Sequence, residues 1–191
     1  PTFYKDFNTP PLAAPWHAAG PSEAVQWTTL ERRPAARIRA GGRLRYPLDA
    51  PVETGRLSAW FYDSSGENRT GDAALELTFS DGSQERSVQI HLLSETPVYG
   101  FSDSDAKPLT GQRLKRAAGW RQLTVLFDEF RFHVLIGSRL LAHGSAPQSP
   151  LRTIRFVNKA GKENSALWID DVQLTQGIAP SDPPIANSQA H

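Results

Sequence analysis

Leu75-Glu-Leu-Thr-Phe79 alternates apolar and polar side chains, Asp81-Gly82 follows, and Arg86-Ser-Val-Gln-Ile-His-Leu92 alternates again. A period of two belongs to a strand with one face buried, and Asp-Gly tolerates the positive φ of a two-residue turn, so the stretch predicts a β-hairpin. Arg56-Leu-Ser-Ala-Trp-Phe-Tyr62 predicts a further strand, as do residues 36–40, 43–48, 121–127 and 152–157. A second hairpin is expected from residues 130–136 and 139–142 around Gly137-Ser138, and residues 167–174 form the last strand. No window carries a sustained helical stripe, although residues 108–118 have room for a short turn. Eight or more strands punctuated by Gly, Pro, Asp and Ser predict an all-β fold, a two-sheet antiparallel sandwich.

Period two also sorts the faces. Leu57, Ala59 and Phe61 go inward, so Ser58, Trp60 and Tyr62 share the other face. Leu75, Leu77 and Phe79, then Val88, Ile90 and Leu92, go inward, and Gln89 and His91 project together. Leu123, Val125 and Phe127 go inward, leaving Trp120, Gln122 and Thr124 outside; Phe130, Phe132, Val134 and Ile136 do the same for Arg131 and His133. Trp120, preceded by Gly119 at a strand start, reads as a packing residue, and Trp16 and Trp27 as plugs over the core. Two Pro-bearing stretches, residues 9–21 and 95–110, exceed the usual loop length, and such loops are more often functional or lid-like than accidental.

The 191 residues fit one domain that buries roughly two thirds of its unfolded surface without disulfides. The absence of cysteine excludes disulfide frameworks, cysteine-based zinc sites, thiol catalysis and iron–sulfur ligation. Twenty-one Lys and Arg against 20 Asp and Glu give a net charge of +1, which argues against a nucleic-acid partner. The charge is uneven: residues 31–45 hold six arginines and one acid, whereas residues 49–85 are mostly acidic, so two strands of opposite sign are expected side by side. No apolar run is long enough for a membrane span. The chain begins at Pro1 and has no methionine, which predicts a piece of a longer protein. Residues 1–176 are expected to form a single sandwich domain and residues 177–191, with three prolines, a flexible linker or tail.

Phe3-Tyr-Lys-Asp-Phe-Asn8, Gly119-Trp-Arg-Gln-Leu-Thr-Val125, Phe132-His-Val-Leu-Ile-Gly-Ser-Arg-Leu-Leu141 and Trp168-Ile-Asp-Asp-Val172 occur in an order that resembles the jelly-roll, concanavalin-like modules of extracellular carbohydrate-active proteins. With residues 55–63 these pieces cover most of residues 1–176. The high Arg and Ala content also resembles envelope proteins of planctomycete-type bacteria. The resemblance implies a sandwich with one concave sheet, on which many relatives bind a glycan and a few cleave one. It also implies a structural Ca2+ held by oxygen ligands, with Asp6 and Asn8 in the opening strand and Asp170 and Asp171 in the closing strand at the matching positions. From the residues themselves, Asp170 lies in register with Trp168, Val172 and Leu174. Its buried carboxylate needs backbone donors, an arginine or a cation.

Sugars offer an apolar C–H face to aromatic rings and hydroxyls to amide, carboxylate and guanidinium groups. The expected ligand face therefore consists of Trp60, Tyr62, Gln89, His91, Arg131 and His133, helped by Tyr99 and Phe101 from the long loop. Gln89-Ile-His91 resembles a strand motif of jelly-roll alginate lyases, but the other signatures of that family are missing. Asp128 and Glu129 are adjacent, so they point to opposite faces of a strand and do not make the paired acids of a glycosidase. No Gly-x-Ser-x-Gly elbow is present. The expected function is a noncatalytic carbohydrate-binding module of a larger secreted or envelope protein, with a polysaccharide and the flanking domains of the parent chain as partners. The alternatives are a structural or protein-interaction sandwich, and a jelly-roll polysaccharide lyase or hydrolase.

Overall fold

The computed structural model describes residues 2–5 (as backbone), 16–64, 71–161 and 165–177. The hairpin of residues 75–92 is present as β7 (Ala73–Ser80) and β8 (Glu85–Leu93), with Leu75, Leu77, Phe79, Val88, Ile90 and Leu92 all fully buried. Its connection spans four residues rather than two, because the Asp81 carboxylate accepts hydrogen bonds from the backbone N–H groups of Ser83 and Gln84 at 2.8 and 2.9 Å. These exposed bonds hold the Asp81 carboxyl at a pKa of about 2.

Two antiparallel sheets form the sandwich. The six-stranded sheet has the order β2 (His17–Ala19), β5 (Arg43–Val52), β14 (Leu151–Asn158), β7, β8 and β9 (Gly100–Asp103). The nine-stranded sheet runs β10 (Thr110–Gly111), β13 (Arg139–Ser145), β12 (Arg131–Ile136), β11 (Gly119–Phe127), β6 (Gly55–Asp63), β15 (Ala166–Gln176), β4 (Arg33–Arg39) and β3 (Val25–Leu30). The opening strand β1 (Thr2–Lys5) pairs with the second half of β15. No helix occurs among the described residues. The inward faces meet through aromatic edges: Phe79 of the six-stranded sheet lies 5.4 Å from Phe127 and 5.6 Å from Phe132 of the other. Trp16 plugs one side of this core against Tyr46 and Phe156, and Trp27 packs on it from β3, as expected of plugs.

Several sequence expectations are corrected. The strands of the arginine-rich and acidic segments are not paired with one another, since β15 separates β4 from β6 and β14 separates β5 from β7. Phe130 is not inward but 74 % exposed, because β12 starts one residue later, after a turn in which the Asp128 carboxylate accepts the N–H groups of Phe130 and Arg131. The register of β15 changes at Asp171, which adopts φ +51° and interrupts the pairing with β6 between Asp170 and Gln173. An extra residue at such a bulge reverses the parity of the strand. Trp168 and Asp170 therefore face outward whereas Val172 and Leu174 face the core.

Residues 95–110 do not form a lid. Tyr99 is 4 % exposed and its hydroxyl donates to the Asp63 carboxylate at 2.6 Å. Phe101 faces the core from β9, and its ring occupies the space a side chain on Gly111 would need, an added Cβ meeting it at 1.9 Å. The Arg116 guanidinium donates to Asp63 at 2.7 and 3.2 Å and to the carbonyl of Ser94 at 2.5 Å, with Asp63 and Arg116 both almost completely buried. This ion pair ties the long segment to β6. Burial, followed by the bond to Asp63, pushes the Tyr99 hydroxyl well above its ordinary pKa, so it remains a donor.

Breaking one half of a fully buried pair leaves an uncompensated charge. Arg116→Met is therefore expected to lower unfolding free energy by about 3–5 kcal/mol in urea denaturation. A loss below about 1 kcal/mol contradicts a structural role for the pair.

Candidate functional site

The expected ligand residues do not share one face. Trp60 and Tyr62 lie on the outer face of the nine-stranded sheet, and Gln89 and His91 on the outer face of the six-stranded sheet, on the opposite side of the sandwich. His133 and Arg131 belong to the first of these faces, but His133 is opposite Leu126 whereas Trp60 is opposite Gln122. Four residues of strand put His133 roughly 13 Å from the Trp60 row. Arg131 is held at its hairpin turn by Asp128, at 2.7 and 2.9 Å. Tyr99 and Phe101 face inward.

The aromatic end of the nine-stranded sheet is engaged with its own side chains. The Arg33 guanidinium lies 5.0 Å from the Trp60 ring and 4.6 Å from the Trp120 ring, and its Nε donates to Asp170 at 2.5 Å. Tyr62 packs edge-on against Trp120 and donates its hydroxyl to Glu31 at 3.0 Å. Arg37 covers Trp168 at 5.7 Å while it donates to Gln26. Arginines thus cover the flat faces that a sugar would use, and cation–π contacts of this kind contribute about 0.5–1 kcal/mol each.

Asp170, 4 % exposed, is answered by an arginine, one of the three solutions its burial demands. Among the described residues no group of three or more His, Asp or Glu side chains is placed to hold a metal ion, and Asp6 and Asn8 lie outside those residues. Of the expected ligands that are described, Asp170 is paired with Arg33 and Asp171 is the bulge residue of β15.

The six-stranded sheet is organised differently. Cα partners in successive ladders align His17, Arg45, Arg155, Glu76, Gln89 and Ser102 in one row across all six strands. Residues opposite one another in antiparallel strands project to the same side, so these side chains form a continuous outer strip. Glu76 is at its centre and only 3 % exposed. Its carboxylate accepts from Arg155 Nε at 2.7 Å and Nη2 at closer range, from Gln89 Nε2 at 3.2 Å, and lies 3.1 Å from Lys159 Nζ. In the next row Arg43 and His91 flank the small side chains of Val157 and Ala74, and His91 Nε2 lies 3.4 Å from the Ser102 hydroxyl. Of this strip, sequence reasoning found Gln89 and His91. It missed Arg45, Arg155 and Glu76, whose common alternation with buried apolar neighbours was the available signal.

No protein-family model matches the sequence, and a search of curated proteins finds no relative. Solved structures are similar in fold. A "native glycosidic hydrolase" matches over 94 % of this chain and 97 % of its own, with 9 % identity and a TM-score of 0.61. A Bacillus subtilis protein of unknown function with a galectin-like fold matches over 91 % and 94 %, with 9 % identity and a TM-score of 0.59. A botulinum neurotoxin type C structure, from work on the toxin's dependence on two ganglioside molecules, matches 92 % of this chain at 13 % identity and a TM-score of 0.57. The chain spans 46 % of that toxin structure. The fold is therefore a galectin-like, jelly-roll β-sandwich, and at these identities the likeness carries the fold alone.

Burial, then the charge of Arg131 and the nearby His143, lowers the pKa of His133 below its ordinary value. The unfolded chain consequently takes up this proton first, so the stabilising contribution of His133 is complete above about pH 6.5 and is lost as the pH falls toward the folded-state value. Urea denaturation at pH 7 and pH 5 is expected to give lower stability at pH 5, with a smaller difference in His133→Gln. An equal pH difference in the two proteins contradicts this assignment.

Proposed function

We propose that the protein is a noncatalytic carbohydrate-binding module whose polysaccharide ligand lies across the outer face of the six-stranded sheet, along His17, Arg45, Arg155, Glu76, Gln89 and Ser102, with His91 beside the strip. The single observation that carries this proposal is the in-register alignment of these six polar side chains on six adjacent strands. At the spacing of strands in a sheet the row is roughly 24 Å long, enough for several sugar units. Its amide, guanidinium, imidazole and hydroxyl groups match the donors and acceptors of sugar hydroxyls, and Glu76, tied on both oxygens, holds Arg155, Lys159 and Gln89 in place.

Glu76 is the only carboxylate in the row, and its ion pairs occupy the oxygens that a two-carboxylate hydrolase would need for proton transfer and attack. This supports binding over cleavage. The ganglioside-dependent toxin and the glycosidic hydrolase add support at the level of fold analogy. The same proposal places the module outside the cell or in the envelope, attached to further domains of its parent chain.

Affinity gel electrophoresis against a panel of polysaccharides is expected to find a ligand. Loss of two hydrogen-bonding side chains in Gln89→Ala/His91→Ala is expected to weaken it by about ten-fold or more. Trp60→Ala, on the other sheet, is expected to leave the affinity within about two-fold, as for a distant independent site. The opposite pattern moves the site to the aromatic face, and absence of any polysaccharide ligand refutes the proposed function.

A further inference from the structure

We infer that the strip selects an anionic polysaccharide, one whose sugars carry carboxylate or sulfate groups; this rests on the glycan-binding reading of the same face. Four cations, Arg45 and Arg155 within the strip and Arg43 and Lys159 beside it, accompany Glu76, the one carboxylate within it. Three positive charges are left uncompensated there. The whole chain carries +1, so the surplus around the strip is local and is balanced by acids elsewhere, among them Glu85 on the same outer face, about 13 Å along β8 from Gln89.

The arrangement has an electrostatic cost in the free protein. Arg45 and Arg155 are direct cross-strand partners, and like charges in that relation repel. Glu76 relieves Arg155 and Lys159. Neither Arg43 nor Arg45 has an ion-pair partner among the described residues, and both are exposed. Arg43 and Arg45 are two residues apart on β5 and so lie on one face, about 7 Å apart along the strand, a spacing set by the backbone and not by flexible stems. A guanidinium presents a planar fork of donors to carboxylate or sulfate oxygens, and an anion between these side chains removes the repulsion while it gains paired hydrogen bonds.

The neutral alternative leaves the surplus unexplained, since hydroxyl recognition needs no uncompensated charge. Nucleic acid is disfavoured by the near-neutral charge of the chain as a whole, +1, where such binders carry a strong basic excess.

Alginate and polygalacturonate, each beside its methyl-esterified form, and dextran sulfate beside dextran, provide pairs that differ in charge on one backbone. At least one acidic member is expected to bind about ten-fold or more tightly than its neutral partner, with an affinity that falls between 50 and 500 mM NaCl. In Arg43→Gln/Arg45→Gln, which alters two exposed side chains, that preference is expected to collapse. The uronate and sulfate arms distinguish the two anions. Equal binding of acidic and neutral members overturns the inference and leaves glycan binding standing, whereas no binding in either arm removes both. Duplex DNA bound as tightly as the best acidic polysaccharide also overturns it, because a general polyanion site then accounts for the surplus.

Discussion

Glu76 is a carboxylate on the outer face of a sheet, yet it is shut off from water by the side chains it holds. Such a group is tolerated only when paired on both oxygens, and the pairing fixes Arg155, Lys159 and Gln89 around it. Three adjacent strands, β14, β7 and β8, thereby have their outward side chains set in relation to one another. The inward partners of this arrangement, Leu75, Leu77, Ile154, Phe156, Val88 and Ile90, are fully buried, so the same strands that make the core also hold the strip rigid. Side chains held in this way, Arg155, Lys159 and Gln89, have little ordering entropy left to lose in a further contact.

The two outer faces divide the chemistry of the molecule. On the nine-stranded sheet the tryptophans are matched with arginines of the same chain, and Asp170 completes the cluster through Arg33. That face stabilises β4 and β15 against the central β6. On the six-stranded sheet the polar row has charge to spare. The long segment between β8 and β11 joins the two sheets through Asp63, Arg116 and Tyr99 and contributes to stability instead of covering either face.

Much of the fold was legible in the sequence because period two is a local property. The leucines of residues 75–92 and the apolar positions of β6 and β11 declare their inward direction without knowledge of any partner. The site was less legible because it depends on which strands become neighbours. Arg45 and Arg155 are separated by 110 positions in sequence and meet only through the β5–β14 ladder. Trp60 and Gln89 both alternate outward, and nothing local distinguishes strands of different sheets, so the two were grouped on one face. Asp171 shows a further limit: a single residue in the left-handed region reverses the parity of β15, and an Asp-Asp pair gives no advance sign of it. Tyr99 lies in a segment without alternation, and its inward direction is set by a partner, Asp63, 36 residues earlier.

The central claim is a location, and amide chemical-shift mapping by NMR with the tightest polysaccharide fragment tests it most directly. The account predicts perturbation concentrated on β5, β14, β7 and β8, strongest at Arg45, Arg155, Glu76 and Gln89. Perturbation centred on Trp60, Gln122 and Trp168, with the six-stranded sheet silent, would contradict it.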